Sequence, residues 1–104
     1  MAISMVQETP DATVEMYDAV AARLGMEEDP PRGMIVHSAA AMEGGGMRIV
    51  DIWESREDLD RFRQERLLPT IEATMREAGR EMPGGPPEMT ISEIHHLVMA
   101  RSAV

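Results

Sequence analysis

Cysteine, lysine and asparagine are all missing from this chain of 104 residues. Without cysteine the protein has no disulfide bond, no thiolate metal ligand and no cysteine nucleophile. Without lysine all 10 of its basic residues are arginines, against 19 acidic residues, and the formal net charge is −9. Because nucleic acids and anionic membranes attract basic surfaces, we expect neither as a partner.

Long hydrophobic runs are missing as well. The first residues lack a basic stretch followed by a sustained apolar one, and no apolar run approaches the roughly 20 residues that span a bilayer. We therefore expect a soluble, cytoplasmic protein. The length predicts a single domain over residues 1–104, with one modest hydrophobic core.

Aromatic residues are scarce, with one tyrosine, one tryptophan and one phenylalanine, whereas there are eleven methionines. Methionine fills irregular space with a flexible, polarizable side chain, and phenylalanine specifies a more rigid core. Two alternatives follow from this balance: a core filled by methionine, or a compliant apolar cavity for a small hydrophobic ligand.

Short apolar stretches predict four strands. The second and third are joined by the glycines of 44–46, which supply the positive φ angles that a hairpin turn requires. The run ISEIHHLVMA is apolar on both sides and predicts the last strand. The predicted strands occupy residues 2–6, 34–40, 47–53 and 91–100.

The first predicted helix lies between the first two strands. Thr9, Pro10 and Asp11 resemble a helix start, with a hydroxyl N-cap, a proline at the first helical position and an acid near the positive end of the dipole. Gly25 is the expected end of this helix.

A second helix is predicted after the third strand. Ser55 and Asp58 resemble a capping box at its start. Because proline costs about 3 kcal/mol inside a helix, Pro69 predicts a kink or break near Leu68. The proline-rich segment 80–88 is expected to be a loop that borders a pocket.

The order β-α-β-β-α-β predicts an α+β fold of the ferredoxin-like type, a four-stranded antiparallel sheet with both helices on one face. The other face of the sheet is left bare although its strands are apolar on both faces. We therefore expect a homodimer in which two sheets pack face to face. Light scattering after gel filtration is expected to give about twice the chain mass, and a monomer would contradict this.

The stretch IVDIWESREDLDRF at 49–62 resembles the antibiotic biosynthesis monooxygenase-like group of the dimeric α+β barrel superfamily. GMIVHSAA at 33–40 and the closing IHHLV are similar to that group too, so the resemblance covers nearly the whole chain. It implies a dimeric α+β barrel. Members of the group include cofactor-independent oxygenases of aromatic polyketides, haem-degrading enzymes, isomerases, cyclases and proteins without a known role.

The haem-degrading members of that group combine a first-strand asparagine, a tryptophan at the end of the third strand and a helical histidine that ligates iron. Only the tryptophan is matched here, by Trp53, because the chain has no asparagine and residues 56–79 contain no histidine. The resemblance therefore does not extend to haem degradation.

A first candidate base is His37, on the second predicted strand. If the hairpin pairs residues whose numbers sum to about 88, Asp51 is the cross-strand neighbour of His37. Asp51 then fixes the tautomer of the imidazole and leaves its other nitrogen to accept a proton. Trp53 is expected on the same face, as a wall of the substrate cavity. The alternative is a structural histidine with satisfied hydrogen bonds.

A second candidate base is His95, on the last predicted strand. Glu93 lies on the same face and is expected to orient it beside the substrate. His96 points the other way, toward an interface or the surface, so the two imidazoles cannot chelate one metal. Tyr17, on the first helix, is a further candidate for substrate binding at the cavity mouth.

No metal site and no cofactor is expected. Glycines 44–46 join two strands and glycines 84–85 lie among prolines, so neither segment opens a helix as a phosphate-binding loop does. Two functions stay open. One is a cofactor-independent monooxygenase, isomerase or cyclase in which His37 or His95 takes a proton from a small aromatic or polyketide-like substrate. The other is a noncatalytic dimeric protein that binds a small apolar molecule or has only a structural role.

Overall fold

A computed structural model describes residues 1–80 and 88–100 of the chain. Within these ranges the fold has four strands and three α-helices, and a π-helical turn, Arg63–Leu67, joins the last two helices. The predicted loop at 80–88 lies mostly outside the described residues. The elements are β1 (Ile3–Thr9), α1 (Val14–Leu24), β2 (Met34–Ala41), β3 (Met47–Trp53), α2 (Arg56–Phe62), α3 (Leu68–Glu77) and β4 (Met89–Glu93).

The strands form one antiparallel sheet in the order β2-β3-β1-β4. This is the ferredoxin-like arrangement, so the predicted fold is confirmed. Ile3, Met5 and Trp53 share one face of the sheet, where they pack against Leu59 and Phe62 of α2. The helices therefore cover that face, and the core lies between the two layers.

The β2–β3 hairpin has the register that the sequence predicts. Its glycines at 44–46 all have positive φ angles, which lets the chain reverse directly into β3. The pairs run from Ala41 opposite Met47 through His37 opposite Asp51. A bulge follows between Met34 and Val36.

The first helix begins four residues later than the sequence predicts. Thr9 is still paired with Met47 in the sheet, and its carbonyl accepts the N–H of Ala12 in a turn, so it does not cap the helix. Thr13 does, because its hydroxyl accepts the N–H of Met16 at 3.1 Å. The predicted end is confirmed: Gly25 is the left-handed C-cap, with φ 60°.

The second helical segment begins where the sequence predicts and contains the predicted discontinuity. The Ser55 hydroxyl accepts the N–H of Asp58 at 3.1 Å. The chain does not break at Pro69, which occupies the first turn of α3, where its missing N–H is tolerated. Instead the preceding turn widens, and the N–H of Leu68 donates to the carbonyl of Arg63, five residues back.

The last strand is shorter than predicted. Its partner β1 begins at Ile3, which pairs with Glu93, and one further bond joins the N–H of Ile94 to the carbonyl of Ala2. Because the ladder ends there, the predicted strand over 91–100 is wrong beyond Glu93. His95 and His96 follow it and are both exposed.

The other face of the sheet carries half-buried apolar side chains on its three longer strands: Val6, Val36, Val50 and Ile52. No helix in the described part of the chain is long and apolar enough to cross a membrane.

Candidate functional site

A cavity of about 1290 Å³ lies between the helices and the sheet. The space is large enough for a ligand of several rings. Three of its methionines are buried in the core, so methionine here both fills the core and forms the cavity wall. The methionines that line it are Met5, Met16, Met26, Met47 and Met75.

Four polar side chains form one chain of hydrogen bonds at this cavity. Tyr17 Oη lies 2.7 Å from His37 Nε2, and His37 Nδ1 lies 2.7 Å from Asp51 Oδ1. The indole N–H of Trp53 donates to Asp51 Oδ2 at 3.2 Å. Strand register brings His37 and Asp51 together, and α1 supplies Tyr17.

Asp51 determines which group donates in each hydrogen bond of this series. Asp51 is only 3% exposed, and its carboxylate, when ionised, can only accept hydrogen bonds. Neutral His37 therefore carries its proton on Nδ1, and its Nε2 accepts the hydroxyl proton of Tyr17. The arrangement holds a basic nitrogen against a phenol at the wall of an apolar cavity.

The hydroxyl of Tyr17 is held in its neutral form. Burial raises its pKa above the usual value, and the negative charges of Asp51, Asp18 and Glu27 raise it further. Because the folded protein favours the neutral phenol, this group contributes stability below the pKa of an unfolded tyrosine, about 10. That contribution is lost as the pH rises through the higher pKa of the folded state.

Alkaline titration tests this environment directly, because the chain contains a single tyrosine and a single tryptophan. Tyrosinate absorbance is expected to rise with a midpoint above that of a free tyrosine, about 10. Asp51→Asn removes one of the negative charges, so its midpoint is expected to be lower. Trp53 fluorescence, followed in parallel, shows whether the protein is still folded. If folded wild type has a midpoint at or below that of free tyrosine, the pKa of Tyr17 is not raised and this description of its environment is refuted.

The structure brings together His37, Asp51 and Tyr17 from the predicted set. Trp53 is part of the same network but is fully buried, so the expectation that it forms a cavity wall is wrong. Its indole ring instead packs against Phe62, with ring centroids 5.3 Å apart, and holds the far oxygen of Asp51.

Glu93 and His95 are not brought to this site. Both are exposed and neither lines the cavity, because β4 ends before His95. The predicted placement of the pair on a buried strand face is therefore wrong, and a role for His95 as a base stays a prediction. The described residues contain no cluster of histidine and acidic side chains that could hold a metal ion.

Sequence reasoning missed two features of the site. The first is the hydrogen bond between Tyr17 and His37. Helical periodicity predicts that Tyr17 faces the sheet but does not predict which strand it contacts. The other is Arg63, a cavity-lining residue of the π-helical turn. The one available signal for it was its place beside Phe62, next to the apolar stripe of the second helix.

No known family model matches this chain, and no curated protein matches it in sequence. Solved structures match its fold at low identity. A candidate antibiotic biosynthesis monooxygenase from Nitrosomonas europaea is 14% identical, with a TM-score of 0.61 and coverage of 92% of this chain and 100% of that one. A mutant form of SnoaB, a cofactor-independent oxygenase from Streptomyces nogalater, is 13% identical, with a TM-score of 0.59 and coverage of 93% and 95%.

A haem-degrading protein from Mycobacterium tuberculosis is 14% identical, with a TM-score of 0.57 and coverage of 94% of this chain and 99% of that one. Another structure with this fold is of a protein of unknown function. The chain thus has the fold of the antibiotic biosynthesis monooxygenase-like proteins. At these identities the likeness concerns the fold and does not specify a reaction.

Proposed function

We propose that this protein is a cofactor-independent monooxygenase-like enzyme that removes a proton from a small hydrophobic, aromatic or polyketide-like substrate. The observation that carries the proposal is the hydrogen-bonded series Tyr17–His37–Asp51, which reaches an apolar cavity at its tyrosine and histidine end. A cofactor-independent oxygenase among the proteins of this fold gives it further support.

Proton removal starts at Tyr17, whose hydroxyl oxygen keeps a free lone pair while its proton is bonded to His37. An acidic O–H or C–H bond of the substrate breaks, and its proton passes to this oxygen as the tyrosine proton passes to His37 Nε2. Asp51 then stabilises the imidazolium that forms. The substrate is left as an anion, and Tyr17 is neutral again.

The anion then supplies electrons to molecular oxygen. Oxidation of a ring CH₂ group to a carbonyl consumes one O₂: one oxygen atom enters the substrate and the other leaves as water. That water contains the proton returned by His37 and the second hydrogen of the CH₂ group. The mainly apolar walls favour this chemistry because they offer a delocalised anion few competing proton donors. A cofactor is not needed when the substrate itself provides the electrons.

Oxygen uptake with a panel of hydroxylated anthrones and naphthols tests the proposal. We expect turnover of at least one compound by wild type, and a reduction in kcat of about 10²-fold or more in His37→Gln, which lacks the base. Tyr17→Phe is expected to lose about 10-fold or more, because the relay atom is removed while the ring is kept.

His96→Ala is the matched control, since His96 is an exposed histidine outside the cavity. It is expected to retain wild-type kcat. Equal oxygen uptake by wild type and the His37→Gln protein on every compound would refute the base assignment. Tight binding of these compounds without any uptake would support the alternative function, a noncatalytic protein that binds small apolar molecules.

We also propose that the protein is a homodimer. The sheet face opposite the helices presents Val6, Val36, Val50 and Ile52, and a second copy would remove these side chains from water. Light scattering after gel filtration tests this proposal: we expect about twice the chain mass, and a monomer would contradict it.

A further inference from the structure

The cavity contains a cation that the proton relay does not use. Arg63 begins the π-helical turn, is half-buried and lines the cavity. Its Nη1 group is in hydrogen-bond contact with Met89 Sδ on β4. A thioether is a weak acceptor, so this contact leaves most of the hydrogen-bonding capacity of the guanidinium unused.

Arg63 differs in this respect from most arginines of the protein. Within residues 1–80 and 88–100 no carboxylate forms an ion pair with Arg63. Glu88, which also lines the cavity, is exposed. A partly desolvated guanidinium is costly without an anion. The arginines that do form ion pairs are Arg23, Arg48, Arg56, Arg61, Arg66 and Arg76.

The backbone at Arg63 is irregular as well. Its carbonyl accepts a bond from Leu68, five residues on, instead of from the residue four positions on. Wide turns of this kind interrupt α-helices rarely and often occur at functional sites. Here the wide turn places a cation over the sheet edge that is formed by β4.

The sheet register sets the distance between this cation and the proton relay. Met89 pairs with Gln7, Gln7 with Ile49, and Ile49 with Ala39, which is two residues from His37 on the same face of β2. Three strand spacings separate the two edges, about 14 Å in all. Arg63 and the Tyr17–His37 pair therefore lie over opposite edges of the sheet, with apolar walls between them.

We infer that the substrate is an elongated apolar acid, with its reactive proton at Tyr17 and a carboxylate at the opposite end that pairs with Arg63. This inference rests on the proposed function for the identity of the reacting end. In a protein with a net charge of −9, a half-buried cation at the cavity wall selects an anionic group over a neutral one. Arg80, which also lines the cavity, is exposed. The Arg63 guanidinium offers a carboxylate two parallel hydrogen bonds.

The test compares 4′-hydroxybiphenyl-4-carboxylic acid with its methyl ester, which has the same hydroxyl and rings but no charge. Calorimetric titration of wild type is expected to show about tenfold or more tighter binding of the acid. Arg63→Met should abolish this preference, and Arg63→Lys should retain part of it. Arg56→Met, which removes an exposed arginine of α2, is the control and should keep the full preference.

Equal affinity of wild type for acid and ester, or a preference that persists in Arg63→Met, would overturn the inference. Absence of binding by both compounds would overturn it too, since neither shape nor charge would then be recognised. The measurement is independent of turnover. If binding of the acid over the ester depends on Arg63, but the protein consumes no oxygen with any hydroxylated compound, the result supports the carboxylate site and rejects the proposed reaction.

Discussion

Replacing Asp51 with asparagine is expected to lower kcat about 10²- to 10³-fold while leaving the protein folded. The substitution keeps the size of the side chain but changes one acceptor oxygen into a donor NH₂ group. Two hydrogen bonds depend on those oxygens, one from His37 Nδ1 and one from the indole of Trp53. Asparagine can accept only one of them.

The indole decides which bond is kept, because its N–H is buried and can only donate. The amide oxygen therefore faces Trp53, and the NH₂ group faces His37. The imidazole must then accept at Nδ1 and carry its proton on Nε2, where it meets the hydroxyl of Tyr17. With this tautomer His37 cannot accept the tyrosine proton, and the relay is blocked.

The measurement is steady-state oxygen uptake on the panel compound that wild type oxidises fastest. Circular dichroism and thermal unfolding establish that the Asp51→Asn protein is folded. Ser38→Ala, which removes an exposed hydroxyl of β2 that bonds only to a backbone carbonyl, is the control and should keep wild-type kcat. Unchanged kcat in a folded Asp51→Asn protein would show that the carboxylate does not set the tautomer of a catalytic base.

Trp53→Ala is expected to reduce the free energy of unfolding by about 3–5 kcal/mol. The indole is completely buried, packs on Phe62 and belongs to the central cluster of the core. Truncation leaves a cavity and also deprives the buried Asp51 carboxylate of a hydrogen bond. Trp53→Phe keeps much of the ring and loses the bond, so its expected loss is smaller, about 1–3 kcal/mol.

Urea unfolding followed by far-ultraviolet circular dichroism gives these free energies without relying on the replaced indole. Val98→Ala is the comparison, because Val98 is 71% exposed, and its effect should stay within about 0.5 kcal/mol. A Trp53→Ala protein within about 1 kcal/mol of wild type would mean that the core does not depend on this ring.

Much of the fold could be predicted from the sequence because local signals agreed with one another. Alternating apolar residues, the glycines of the hairpin and the Ser55 cap each specify an element without reference to distant residues. The pairing of His37 with Asp51 was predictable for the same reason, since a short hairpin fixes the register along both its strands.

The features that sequence reasoning missed depend on contacts between distant parts of the chain. Thr9 resembles a helix cap but is retained in the sheet by β3. The run after Glu93 resembles a strand but lies beyond the end of its partner. The bond from Tyr17 to His37 depends on where α1 crosses the sheet, which no local pattern determines.

The wide turn at Arg63–Leu67 sets the rotation of the apolar side chains of α3 about the helix axis relative to those of α2. At about 100° per residue, an unbroken α-helix would place Ile71 about 120° around the axis from Leu59. A turn that absorbs one extra residue sets the following segment back by about 100°, so the two side chains come to within about 20° of each other. Both line the same cavity. Conversion of this turn to regular α-helix without the loss of a residue would rotate the apolar stripe of α3 by about 100° and turn it toward solvent.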